Sequence, residues 1–275
     1  MADNLFELTD RVAVVSGAAR GMGRAMAIGF AEYGADLLLA DIDAAGMQDT
    51  ADTIEALGRR AVPVVCDVAD PEPIDALYAT LDREFGRIDV LANVAGEGGH
   101  GDPAELTPAE IQESLQNLLI GRFHCTQHAG RRMIAAGKGS IINIVSIAGF
   151  TALGRHHIPY SMAMGAVAQM TRELSSEWAP LGVRVNAIVC AQVENQGLRD
   201  RMEADPVLRS NFLRGLPIGR LGQPEEIKGL AILLASDASS FMTGALVPFD
   251  GGNLAKNAGG SHPGMPPLGP PGASR

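Results

Sequence analysis

The chain has 275 residues and a formal net charge of −10, and its 46% hydrophobic content supplies a core. That length suits one large α/β domain that needs no covalent staple. The acidic balance excludes the clustered Lys and Arg that a nucleic-acid surface requires. Cys66, Cys125 and Cys190 form neither a CxxC nor a Cys/His cluster, which suits a reducing compartment. The opening residues carry acid where a signal peptide carries base, and no apolar run reaches membrane-spanning length. The expectation is therefore a cytoplasmic protein with no membrane partner and no nucleic-acid partner.

Short, almost continuously apolar runs occupy residues 11–16, 36–40, 61–66, 88–92, 140–145, 183–189 and 245–249. This is the pattern of strands buried on both faces. Between them, residues 21–33, 44–57, 71–85, 108–136, 159–179 and 224–235 read as helices. Pro71, Pro108 and Pro224 suit first turns, and Gly34, Gly58, Gly86 and Gly137 sit just past helix ends. The alternation predicts an α/β fold, a three-layer doubly wound parallel sheet of the Rossmann type with about seven strands. Residues 1–258 read as one domain. Within it, the weakly patterned stretch 191–216 is expected to be a mobile cap over a ligand. The tail 259–275 is Pro/Gly-rich and expected to be irregular.

The first strand runs into Ser16-Gly17-Ala18-Ala19-Arg20-Gly21-Met22-Gly23, with helix-forming residues directly after. A strand feeding a glycine-rich turn aims free N–H groups and the positive helix end at a pyrophosphate. Gly17 permits the tight turn, Gly21 lets a ligand approach the backbone, and Gly23 lets helix and strand pack closely. Arg20 and Met22 lie in the same loop. Asp41, with Ile42 beside it, follows the second strand, where an acid accepts hydrogen bonds from a ribose 2′-hydroxyl and repels a 2′-phosphate. The cofactor expected is NAD in preference to NADP, although Arg20 could greet a 2′-phosphate. A competing role for Asp41 is helix capping, but Asp43 serves that purpose as well. Asp67 and Val68 after the third strand are placed for adenine, and Asn93, Ala95 and Gly96 after the fourth for ribose.

SGAARGMG, Asp67-Val68, the run Asn93-Val94-Ala95-Gly96, Ser146-Ile147-Ala148-Gly149, Tyr160 and Phe249-Asp250-Gly251-Gly252 stand in one order along the chain. In that ordered set the chain resembles the short-chain dehydrogenase/reductase family over residues 6–253. The resemblance implies oxidation of secondary alcohols or reduction of ketones with NAD(P), and a homodimer or homotetramer. It also implies that Tyr160 is the general acid/base, that Ser146 orients the substrate oxygen, and that Tyr160 and Val193 contact the cofactor. The chemistry is consistent, because hydride transfer at carbon needs a proton partner on oxygen, and a phenol of lowered pKa can be one.

The chain departs from the family around the nicotinamide end. The lysine expected four residues after the tyrosine is Met164, which can neither lower the tyrosine pKa nor bond a ribose. Losing a nearby cation raises an acid's pKa by about 1–3 units. The family's active-site asparagine, three residues before Gly121, is Leu118. Asn117 could replace it only if the helix shifts by a residue, as in a π-bulge. Cys190-Ala191 and Asn195 replace the family's Pro-Gly and threonine, and Val94 its second asparagine. Three readings follow: a dehydrogenase with another group supplying the charge, Arg155, His156 and His157 being nearest in sequence; non-redox elimination, dehydration or isomerisation retaining Tyr160 and Ser146; or a cofactor-binding partner subunit. His156, His157, Met164 and Asn195 are the substrate-pocket candidates, and Met202 could line the same cleft. His124 and His128 have the i, i+4 spacing of zinc ligands, but no third ligand stands near them in sequence, so no metal is expected.

Overall fold

The computed structural model of the protein describes residues 4–154 and 156–256, so Arg155 and the 259–275 tail fall outside the described residues. A seven-stranded parallel sheet runs in the order β3-β2-β1-β4-β5-β6-β7. The strands are β1 (Val12–Ser16), β2 (Asp36–Asp41), β3 (Ala61–Val65), β4 (Val90–Asn93), β5 (Gly139–Ser146), β6 (Val183–Cys190) and β7 (Leu246–Phe249). The order reverses between β1 and β4, where Ser16 lies opposite Asn93 at the carboxyl ends. Doubly wound sheets bind ligands at such a switch point.

Helices cover both faces. On one side α1 (Gly21–Glu32), α2 (Ala44–Ala56) and α9 (Lys228–Ala235) bury Met26, Phe30, Ile54 and Ile232 against Val15, Leu37 and Leu39. On the other α3 (Pro71–Glu84), α5 (Gly121–Ala136) and α6 (Ile158–Trp178) bury Tyr78, Leu81, Met133 and Leu174 against Val14, Leu38 and Val185. The near-unbroken apolar strands are thereby explained, since each β1 and β4 residue faces one layer or the other and none faces water.

Two helix readings change. The single helix expected over 108–136 is α4 (Pro108–Leu115), a π-turn at Gln116–Ile120, and α5. Gly121 sits at the junction because a methyl group there would lie 1.7 Å from the Val68 carbonyl oxygen. The weakly patterned 191–216 stretch contains α7 (Gln196–Ala204) and α8 (Pro206–Arg214), capped by Asn195 and Asp205. Their own small core of Leu198, Met202 and Phe212 is too short in sequence to give a readable period.

Candidate active site

Gly17 and Gly21 take positive φ values of 72° and 58°, which only glycine adopts without strain. The α1 N-terminus follows directly, and its N-cap Arg20 makes no side-chain hydrogen bond to it, so the first-turn N–H groups remain donors. Apart from its chain neighbours and its own helix backbone, no atom of the described residues lies within 4 Å of where a Gly21 side chain would begin. This open cradle fits a diphosphate. Gly23 has the third role: its added methyl group would lie 1.9 Å from the Gly17 carbonyl oxygen. Gly23→Ala is therefore expected to force the loop open and weaken NADH binding about tenfold or more, measured by NADH fluorescence titration.

Asp41 ends β2 with its carboxylate fixed beside this loop. One oxygen accepts from the Ala19 N–H at 3.0 Å and the other from the Asp43 N–H at 3.1 Å. Asp43, not Asp41, caps α2, accepting from Gly46 at 3.0 Å. Ile42 lies 70% exposed at the rim. Across the crevice, Ser16 Oγ accepts from the Val94 and Ala95 N–H groups, tying the first loop to the β4 loop. Asp67 closes a turn by accepting from the Ala69 N–H at 2.8 Å, while Val68 is buried. Met22 touches the Cys190 thiol at 3.8 Å under the loop.

Asn93 behaves differently from the expectation. Its side chain is buried, donating to Thr126 Oγ1 at 2.9 Å and Asn143 Oδ1 at 3.0 Å, and Asn143 donates on to Thr171. With Asn143 as the relay, it links β4, β5, α5 and α6. Its nitrogen is thus spent on packing, while its buried Oδ1 has no partner among the described residues.

At the end of β5, a Ser146 hydroxyl hydrogen bond draws the Tyr160 phenol's pKa down, and so does the Arg122 charge; burial outweighs both and leaves the pKa above the ordinary value. Tyr160 packs on the loop after β4, where a methyl group on Gly98 would lie 2.8 Å from its Cβ. The His157 ring lies 6.2 Å from the Tyr160 ring and 4.0 Å from that of His100. His156 is exposed, at a φ of 58°.

Met164 does not line the cleft. It is 1% exposed, in one apolar cluster with Leu118, Val145, Ala163 and Val167, with Tyr160 packed against it. The two residues that replace the family's polar pair thus lie together as hydrophobes. Met202 belongs to the α7–α8 core, and Asn195 spends its side-chain oxygen on the Leu198 N–H at 2.8 Å. The π-turn turns Asn117 toward the β4 loop, where it donates to the Glu97 carbonyl at 3.1 Å. Val193 bridges to Gly222, beside a buried Gln192 Oε1 that has no partner among the described residues.

Arg122 is the residue that the sequence reading missed. It is 3% exposed, and its four hydrogen bonds go to the carbonyls of Val94, Ala95 and Ile144, with no carboxylate among these partners. A methyl group on Gly96 would lie 3.6 Å from its Nη2. Burial lowers its pKa to about 10, so the guanidinium stays charged at neutral pH. In sequence Arg122 looks like a solvated helix residue, since nothing local marks it as buried.

A glycine loop at a helix N-terminus, a carboxylate ending β2 and a serine–tyrosine pair along one sheet edge define a dinucleotide-type oxidoreductase fold. The profile of the family described as Enoyl-(Acyl carrier protein) reductase matches residues 17–253. An NAD-dependent glycerol dehydrogenase of Listeria innocua serovar 6a is 38% identical over 256 residues, covering 92% of this chain and 98% of that protein. A cis-4-hydroxycyclohexanecarboxylate dehydrogenase of Sinomonas cyclohexanicum is 40% identical over 248 residues, covering 90% and 97%. A gluconate 5-dehydrogenase from Burkholderia cenocepacia, solved with NADP and tartrate, superposes with a TM-score of 0.86 at 32% identity, covering 94% of this chain and 100% of that one. The chain belongs to the short-chain dehydrogenase/reductase family, whose members are NAD(P)-dependent oxidoreductases.

Proposed function

We propose that the protein is an NAD-dependent dehydrogenase of a neutral secondary alcohol, with Tyr160 exchanging the proton and Ser146 orienting the oxygen. The observation that carries this reading is Ser146 at the end of β5 and Tyr160 packed on the loop after β4, whose carbonyls the buried Arg122 guanidinium holds. When bound, the nicotinamide ring supplies hydride acceptance or donation. In oxidation, Tyr160 as phenolate accepts the substrate hydroxyl proton while Ser146 holds that oxygen; in reduction, Tyr160 returns a proton to the ketone oxygen. The Arg122 charge favours the phenolate, as Met164 cannot, against the burial that holds the phenol above its ordinary pKa. It also holds the Val94 and Ala95 carbonyls in place, so the ribose side of the crevice stays shaped.

Gly17, Arg20, Gly21, Met22 and Gly23 would hold the diphosphate. Asp41 and Ile42 would frame the adenosine ribose, with Asp67 and Val68 by the adenine. The backbone of Ala95, Gly96 and Val193 would take the nicotinamide half, Gln192 offering its free acceptor to a carboxamide. The fixed Asp41 carboxylate supports NAD over NADP. Asp41→Asn is expected to narrow the NAD-over-NADP preference in kcat/KM by about tenfold or more, the equivalent of about 1.4 kcal/mol, measured with both cofactors at pH 7.

The substrate reading rests on a cavity of about 240 Å³ beside Pro159 and Asn117, lined also by Glu97, Glu110, Glu113 and His100. Those carboxylates disfavour an anionic substrate. A panel of polyols, cyclic alcohols and sugar acids with NAD, read as NADH absorbance, tests the whole proposal. Turnover of the neutral alcohols is expected, and no turnover with any secondary alcohol would sink it. A homodimer or homotetramer is supported by exposed Ile120, Phe123 and Met162 on the α5–α6 side. The three cysteines, all buried and free, support a cytoplasmic setting.

A further inference from the structure

The α3–α5 surface carries a second chemical cluster, away from the crevice. His124 and His128 lie one turn apart on α5, and Asp75 meets them from α3. The three inward atoms form a closed triangle: His124 Nε2 to His128 Nε2 is 2.9 Å, His124 Nε2 to Asp75 Oδ1 is 3.1 Å, and His128 Nε2 to Asp75 Oδ1 is 2.8 Å.

Protons cannot satisfy that triangle. If both imidazoles carry hydrogen on Nε2 and donate to Asp75, two donors face each other across the third edge. If one donates to the other, the acceptor nitrogen has only a lone pair to set against the carboxylate. A cation at the centre satisfies all three at once. For a metal–ligand bond of about 2.05 Å, adjacent ligands lie about 2.9 Å apart in octahedral geometry and about 3.3 Å apart in tetrahedral geometry. The observed edges match the octahedral face.

We propose that Asp75, His124 and His128 form a binding site for one divalent late first-row transition-metal ion, of the zinc, cobalt or nickel kind, clamping α3 to α5. Two imidazoles and one carboxylate select such ions over the hard, oxygen-seeking magnesium and calcium. The remaining coordination positions open toward solvent on the side of the exposed Asp75 and take water.

The surroundings hold the ligands ready. Tyr78 stacks on the His128 ring at 4.8 Å, and its hydroxyl is tied to the Cys125 carbonyl at 2.7 Å. The charged neighbour on this face, Arg132, is engaged twice by Asp82 at 2.7 and 2.6 Å, which offsets its repulsion of a cation.

The test uses the full chain freed of metal by chelator and dialysis. Titration with cobalt(II) is expected to give one ion per chain and weak visible d–d absorption of six-coordinate type. Zinc at about a hundredfold excess over its Kd should raise the melting temperature by about 5–10 °C. His124→Gln and Asp75→Asn should each weaken cobalt binding by about tenfold or more while melting like the metal-free wild type. Failure of either metal to bind would overturn the proposal. So would unchanged stoichiometry and affinity in both variants, which would place the ion elsewhere. None of these readouts depends on the dehydrogenase reading.

Discussion

Tyr160→Phe is expected to lower kcat by about 10²–10⁴ while leaving NADH affinity almost unchanged. Phenylalanine keeps the packing on Gly98 and the apolar cluster of Leu118 and Met164 and removes only the proton-exchanging oxygen. An interaction made only in the transition state lowers kcat and kcat/KM together. The measurement is steady-state kinetics with the best alcohol of the panel, with NADH fluorescence titration alongside. Retained turnover in the variant would place the acid/base elsewhere and remove the Ser146–Tyr160 pair from the mechanism.

The second large effect is predicted at Arg122. Arg122→Met removes a buried cation whose charge favours the phenolate, so the Tyr160 pKa rises further above its ordinary value. The sign matters for activity. Below its pKa the phenolate fraction falls tenfold for each unit of that rise, so the rising limb of the oxidation rate against pH moves to higher pH. Arg122→Lys keeps a cation and should move the limb less. The phenolate can be followed without turnover. The chain has only three tyrosines, and the ultraviolet difference between the wild type and Tyr160→Phe isolates the Tyr160 signal. A merely structural arginine would lower the melting temperature and leave that titration in place. Met164→Lys alone is expected to lower stability and add no activity, because it buries an unpaired amine in an apolar cluster. Combined with Arg122→Met it should recover part of the lost rate.

Much of the proposed cofactor half of the site was legible in the chain. Glycine at positions 17, 21 and 23 is dictated by local backbone demands, and Asp41 stands a fixed distance downstream at the end of a strand, so both can be read from spacing. Met164 and Leu118 were also legible as departures. What they become was not: the sequence shows two missing polar groups, and the fold packs both replacements into one hydrophobic cluster. The π-turn at Gln116–Ile120 is similar, since the sequence could state that Asn117 needs a shift in winding but not that the shift occurs. Asn93 was assigned to the ribose, yet with Asn143 as the relay its side chain links four elements inside the core. Asp75 lies about fifty residues before His124 and His128, and no local pattern joins them.

By itself the sequence determined the alternation of strand and helix, the doubly wound parallel sheet and the glycine loop at the first crossover. Each of these depends on residues close together in the chain: apolar runs, proline and glycine punctuation, and a strand–turn–helix junction. Only the tertiary structure decided where the charge lies. Arg122 on α5 meets the loop after β4 and the end of β5, and Asp75 on α3 meets the two histidines of α5, because sheet order and helix packing bring distant segments together. Electrostatic effects depend on separation in space and on burial, neither of which is written in residue spacing.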